Sequence, residues 1–147
     1  MTHAGTTPSL YERLGGLYGI SGAVDVLADR LYDNVSANQN PHVAAFHAQG
    51  GHAGFKFLVI AWSIEQTGGP ACYPGRDMRE SHAHLFVTES EFDIVAMEIA
   101  ATLHHVGVPQ PEHGEFMAII ESYRAMVVGA PGHEQVQAAP ELTGALG

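Results

Sequence analysis

Gly68-Gly69-Pro70-Ala71-Cys72-Tyr73-Pro74-Gly75-Arg76-Asp77-Met78-Arg79-Glu80-Ser81-His82-Ala83-His84-Leu85 joins a turn to a short amphipathic helix. Gly-Gly-Pro and Pro-Gly cannot continue a helix, so the first half is a turn. Met78, His82, Leu85 and Phe86 then fall at i, i+4, i+7 and i+8 and share one helical face, whereas Asp77, Glu80, Ser81 and His84 form the polar register. His82 stands in an apolar stripe and His84 does not.

An imidazole directed from a short helix into an apolar pocket suits an axial ligand of haem iron. The same pattern also describes a core histidine with both nitrogens satisfied, and the local spacing leaves the two open.

Working outward, the helical period continues on both sides. Toward the N-terminus, Thr7 is expected to cap a helix starting at Pro8, with Leu10, Tyr11 and Leu14 on its apolar face and Gly15-Gly16 ending it. A second helix is expected over about 18–34, with Ile20, Ala23, Val24, Leu27 and Leu31 as its stripe and Tyr32 at its flank. Tyr32 reads either as an interfacial phenol or as one pointing into a pocket. Polar Ser36 to His42 reads as a loop, followed by one helical turn at Val43 to Phe46 and a break at Gln49-Gly50-Gly51. His52 to Gln66 carries Phe55, Leu58, Val59 and Trp62 on one face, and the apolar Phe57 and Ile60 predict burial on more than one side. Beyond the central segment, Thr88-x-x-Glu91 is a capping box opening a helix with Phe92, Val95, Ile99, Leu103 and Val106. Gly107 and Pro109 end it. A last helix from about Pro111 carries Phe116, Ile119, Ile120, Tyr123 and Val127. No convincing period-2 segment and no internal repeat occurs. The expected class is all-α, with residues 1–8 a disordered N-terminus, 9–128 one domain, and the Gly-, Ala- and Pro-rich 129–147 a flexible tail.

Composition narrows the function. The chain has 147 residues, 46% of them hydrophobic, enough for one core or one enclosed cofactor. Its net charge of −10 and only six Lys and Arg argue against nucleic acid or an anionic membrane as partner. The single cysteine, Cys72, makes no internal disulfide. No apolar run reaches membrane-spanning length and no signal peptide is evident, so a cytoplasmic location is expected. The ten histidines are scattered and form no zinc motif, and nucleophile-elbow, P-loop and Rossmann patterns are absent.

Two separated motifs, Leu10-Tyr11-x-x-Leu14-Gly15-Gly16 and Gly68-Gly69-Pro70 with Tyr73-x-Gly75-Arg76-x-Met78-x-x-x-His82-x-x-Leu85, resemble those of group I truncated haemoglobins. Their order, the capped helix after His82 and the Gly107-Val108-Pro109 break also fit, and the resemblance spans about Ser9 to Val127. It implies a two-over-two helical sandwich holding haem b and binding dioxygen and other diatomic ligands such as nitric oxide and carbon monoxide. By position, His82 would be the proximal iron ligand, its Nδ1–H held by a carbonyl or hydroxyl acceptor. Tyr32 would be the distal tyrosine, with Phe55 and Val59 beside it. Phe46, Leu58, Trp62, Met78, Leu85, Phe92, Val95, Ile99 and Ile119 would line the haem, and Lys56, Tyr73 and Arg76 would meet the propionates.

The departures shape further expectations. Phe46-His47 stands where many members have Phe-Phe, and Val59 where many have Gln, so the polar distal network is thin and Tyr32 acts almost alone. His47 or His52, beside flexible glycines, is a candidate distal sixth ligand. Some relatives tie a haem vinyl to a histidine of the last helix; Phe116 to Val128 contains none, so the haem is expected to be non-covalent. The functions implied are reversible oxygen binding as carrier, store or sensor, or nitric oxide dioxygenation with an external reductase, with a peroxidase-like activity also open. A haem-free helical interaction module with His82 buried is the reading from another class.

Overall fold

The computed structural model describes residues 7–128, and among them every regular element is helical. The expectations for the N-terminus and the C-terminal tail fall largely on 1–6 and 129–147, outside the described residues. The helices are α1 (Leu10–Arg13), α2 (Gly16–Tyr32), α3 (Pro41–Ala48), α4 (His52–Gln66), α5 (Met78–His82), α6 (Glu89–His105), α7 (Gln110–Ser122) and α8 (Arg124–Val128). Short 3-10 turns occupy Ala37–Gln39 and Ala83–Leu85.

Local chemistry sets the boundaries. Ser9, not Thr7, caps α1: its Oγ accepts from Glu12 N while the Glu12 carboxylate accepts from Ser9 N, and this reciprocal pair displaces a start at Pro8. Gly15, at φ 93°, makes the corner into α2. Gly19 is required there as well, because a Cβ would sit 1.9 Å from the Leu14 carbonyl oxygen. Thr88 and Glu91 form the expected capping box on α6. The polar stretch before α3 ends in Asn40, which caps a full two-turn helix with Pro41 at its first position, rather than the single turn expected. The stripe through Phe86 does not persist: α5 stops at His82, a 3-10 turn follows, and Phe86 takes a left-handed φ of 51°. The last helix is broken at Tyr123, whose N–H bonds the Ile120 carbonyl.

The long helices pack as two pairs, α2 on α4 and α6 on α7, with α2 also against α6. The main core gathers Leu10, Leu27, Trp62, Ile99, Leu103 and Phe116. Removing these side chains from water is the main driving force of the fold, at about 1.5–3 kcal/mol for each large one. Ionic contacts tie the pairs at the rim: Arg30 Nε lies 2.8 Å from Glu98 between α2 and α6, and Arg13 bonds Glu112 and Glu115 of α7 at 3.0 and 2.7 Å. Helix α4 is not buried all round as its apolar content suggests. Phe57 is 59% exposed and Leu58 37%, because no described helix covers that face. No helix among the described residues is long and apolar enough to cross a membrane.

Candidate functional site

The site lies between α5 on one side and the ends of α2, α3 and α4 on the other. On the α5 side, Asp77 caps the helix by accepting from Glu80 N at 2.7 Å, which fixes the first turn and so the direction of His82. His82 Nδ1 lies 2.9 Å from the Met78 carbonyl oxygen and 2.9 Å from Ser81 Oγ. A carbonyl only accepts, so Nδ1 must carry the proton and Nε2 keeps its lone pair. Burial pushes the imidazole below its ordinary pKa, which favours this neutral form even though the bond to Met78 pulls the other way.

On the opposite side, α2 ends in Tyr32. Its hydroxyl oxygen is buried and has no hydrogen-bond partner among the described residues, and burial raises its pKa. The ring lies between two imidazoles, with His47 at 4.2 Å and His52 at 4.1 Å between centroids, both nearly parallel to it. Phe55 stands 5.4 Å from Tyr32 and 6.0 Å from Phe46, and Phe46 meets His84 edge-on at 6.4 Å. Aromatic contacts thus run from the end of α2 through α3 and α4 to the segment just after His82.

His47 Nδ1 bonds Asn38 Oδ1 at 2.6 Å, and Asn38 Nδ2 donates to the Tyr32 carbonyl at 2.9 Å. Burial holds the His47 pKa down, and neighbouring His52 adds to this. His52 Nε2 comes within 3.2 Å of Asp29 Oδ1, although the geometry is not that of a hydrogen bond.

The other expected site residues separate. Trp62, Ile99, Val95, Ile119, Met78 and Tyr73 belong to or pack on the main core. Val59 packs against Ile20, Val24 and Ile64, while Leu85 and Phe92 join Val87 and Val127. The residues expected at the propionates are otherwise engaged: Lys56 Nζ pairs with Asp25 at 2.7 Å and Asp29 at 3.3 Å, and Tyr73 Oη donates to the Arg76 carbonyl at 2.7 Å. Arg76 is exposed, and its charge is felt by His84.

Asn40 and Ser81 are the residues the motifs missed. Asn40, 4% exposed, accepts from His42 and Val43 N and donates from Nδ2 to the Leu85 carbonyl (2.9 Å) and Glu91 Oε1 (3.0 Å). It locks α3 to the segment after His82. The Asn-Pro pair is an N-cap signal that could have marked it.

Two helix pairs, with a buried imidazole held through its Nδ1 and a group of aromatic rings around Tyr32, fit a globin-like class. Comparison with known proteins narrows it. The profile of the family described as Bacterial-like globin matches residues 9–128. The chain is 34% identical over 131 residues to Group 1 truncated hemoglobin GlbN of Synechocystis sp., spanning 86% of this chain and 94% of that one. It is 31% identical to the Group 1 truncated hemoglobin of Tetrahymena thermophila, over 83% and 96%. The crystal structure of the 2/2 hemoglobin from Synechococcus sp., in the cyanomet state with covalently attached heme, superposes with a TM-score of 0.71 at 26% identity, covering 83% of this chain and 99% of its own. The chain belongs to the bacterial-like globins, among the group 1 truncated haemoglobins. Membership implies a haem protein that binds diatomic ligands.

Proposed function

We propose that this chain holds haem b non-covalently, with His82 as the axial ligand, and binds dioxygen reversibly as carrier, store or sensor. The observation that carries this is the His82 tautomer: Nδ1 is committed to Met78 and Ser81, and the Nε2 lone pair is left for a metal. The buried, unpartnered Tyr32 hydroxyl fits the same group, since a buried donor without an acceptor is costly unless a ligand supplies one. Haem supplies the iron at which a diatomic ligand binds. The chain's own residues orient that iron through His82, exclude water with Phe46 and Phe55, and offer one hydroxyl from Tyr32.

Non-covalent attachment is supported by the last helices. His113 is the histidine of α7, and its Nε2 lies 3.1 Å from the Ala100 carbonyl, while Phe116 to Val128 has none. Extraction into acid-acetone should release the haem; haem that stays with the protein would contradict this. The same residues would serve conversion of nitric oxide and dioxygen to nitrate, with an external reductase returning the ferric protein to ferrous. Stopped-flow mixing of the oxygenated protein with nitric oxide separates the two: slow or absent formation of ferric protein leaves reversible oxygen binding as the function.

A further inference from the structure

We infer that His47 and His52 are positioning residues: their imidazoles clamp the two faces of the Tyr32 ring and keep its hydroxyl aimed at the bound diatomic ligand. This rests on the proposed haem site. A tyrosine hydroxyl is usually held in place by its own hydrogen bond, but Tyr32 Oη has none. Beyond the stacked His52, its α4 neighbour Phe55 is apolar, and so is Val59 one turn further along. The direction of the hydroxyl must therefore be set through the ring, and the ring is in face contact on both sides, at 4.2 and 4.1 Å with interplanar angles of 23° and 13°.

The His47 jaw is anchored by hydrogen bonds, whereas His52 lies beside Asp29 without one. His47 donates from Nδ1 to Asn38 Oδ1, and Asn38 donates from Nδ2 to the carbonyl of Tyr32 itself. The amide orientation is settled by that carbonyl, which only accepts. One imidazole is thus tied back to the backbone of the residue it holds. His52 sits on α4 opposite Asp29, one turn before Tyr32 on α2, and Lys56, one turn beyond His52, pairs with Asp25 and Asp29. The second jaw rides on this charged seam between α2 and α4. With both imidazoles stacked on the phenol, the clamp expects neither to act as a sixth ligand of the iron.

The test compares His47→Ala, His52→Ala and the double variant with His47→Phe and His52→Phe, which keep an aromatic face without the imidazole nitrogens. Each is made in the wild-type and the Tyr32→Phe backgrounds. Dioxygen dissociation and the carbonyl infrared stretch are read on the haem-loaded protein. The Tyr32 ring proton shifts are read by NMR on the protein as purified, in the diamagnetic carbonyl form when haem is present. The double alanine variant should lose dioxygen about 5- to 20-fold faster, part of what one charge-assisted hydrogen bond provides. Its carbonyl stretch should move toward that of Tyr32→Phe, and its Tyr32 ring protons should lose their upfield ring-current shift. In the Tyr32→Phe background the alanine changes should do nothing further, and the Phe variants should restore most of the wild-type behaviour.

Unchanged dissociation and carbonyl stretch in the double alanine variant would overturn the clamp. So would a six-coordinate ferrous spectrum without added ligand that either alanine variant abolishes. A chain with no Soret absorption would instead overturn the haem reading, and the Tyr32 ring shifts, which need no ligand, tell that failure apart from failure of the clamp.

Discussion

His82 Nδ1 and the Met78 carbonyl oxygen lie 2.9 Å apart within the same helix, with Ser81 Oγ 2.9 Å from the same nitrogen. The bond spans i to i−4, and the same Met78 carbonyl also accepts from Ser81 Oγ at 3.2 Å. A ligand imidazole whose second nitrogen donates a hydrogen bond is a stronger base toward metal. In Ser81→Ala one of the two acceptors is lost. The iron–histidine stretch of the ferrous protein, read by resonance Raman, should fall in frequency while haem still binds. An unchanged stretch would show that Ser81 does not tune the ligand.

Tyr32→Phe separates stability from function. An unsatisfied buried hydroxyl costs on the order of 1–3 kcal/mol, so its removal should leave the haem-free protein as stable or up to about 1 kcal/mol more stable, measured by urea unfolding. Dioxygen dissociation should rise about 5- to 150-fold, the range corresponding to one charge-assisted hydrogen bond. A variant that is less stable and no faster in losing dioxygen would show that the hydroxyl does not face the ligand.

Asn40→Ala removes a helix cap, worth about 1 kcal/mol, and at the same time strips donors from the Leu85 carbonyl and Glu91. Total destabilisation of about 2–4 kcal/mol is expected, because the abandoned acceptors stay partly buried. Thermal unfolding checks it. A loss below about 1 kcal/mol would mean that only the cap mattered.

Glu98 carries a pH dependence of known sign. Burial pushes its carboxyl upward, but hydrogen bonds from Arg30 and Asn34, the Arg30 charge and a weaker contact with Thr102 outweigh this, so its pKa is lowered. A depressed folded-state carboxylate contributes stability above the ordinary carboxylate range and loses it as pH falls through the folded value. Arg30→Gln should raise the Glu98 pKa, seen by carboxyl 13C titration, and flatten the acid limb of the stability curve. An unmoved pKa would show that the α2–α6 ion pair is not formed in solution.

Much of this was legible in the chain. The extent of α4 follows from Gly51 and the apolar run to Ile64, the start of α6 from Thr88 and Glu91, and the place of His82 from the Gly-Pro turn and helical spacing. Where the reading failed, distant residues decided. Phe57 fits a buried helix by composition, but exposure depends on which neighbours exist. Asn40 reads as loop polarity because its partners, Leu85 and Glu91, are about 45 and 51 positions away. Periodicity sees a helix face, not what meets it. For the same reason His47 and His52 stood out as histidines near glycines, with nothing local to place them on Tyr32.

The most direct test of the central claim is the absorption spectrum of wild type and His82→Ala in ferric, dithionite-reduced and carbonyl forms. A strong Soret band in the wild type that weakens or shifts in the variant is the predicted result and assigns the iron ligand to His82. A wild type that stays without a Soret band after haem is added, or a variant spectrum identical to it, would contradict the claim.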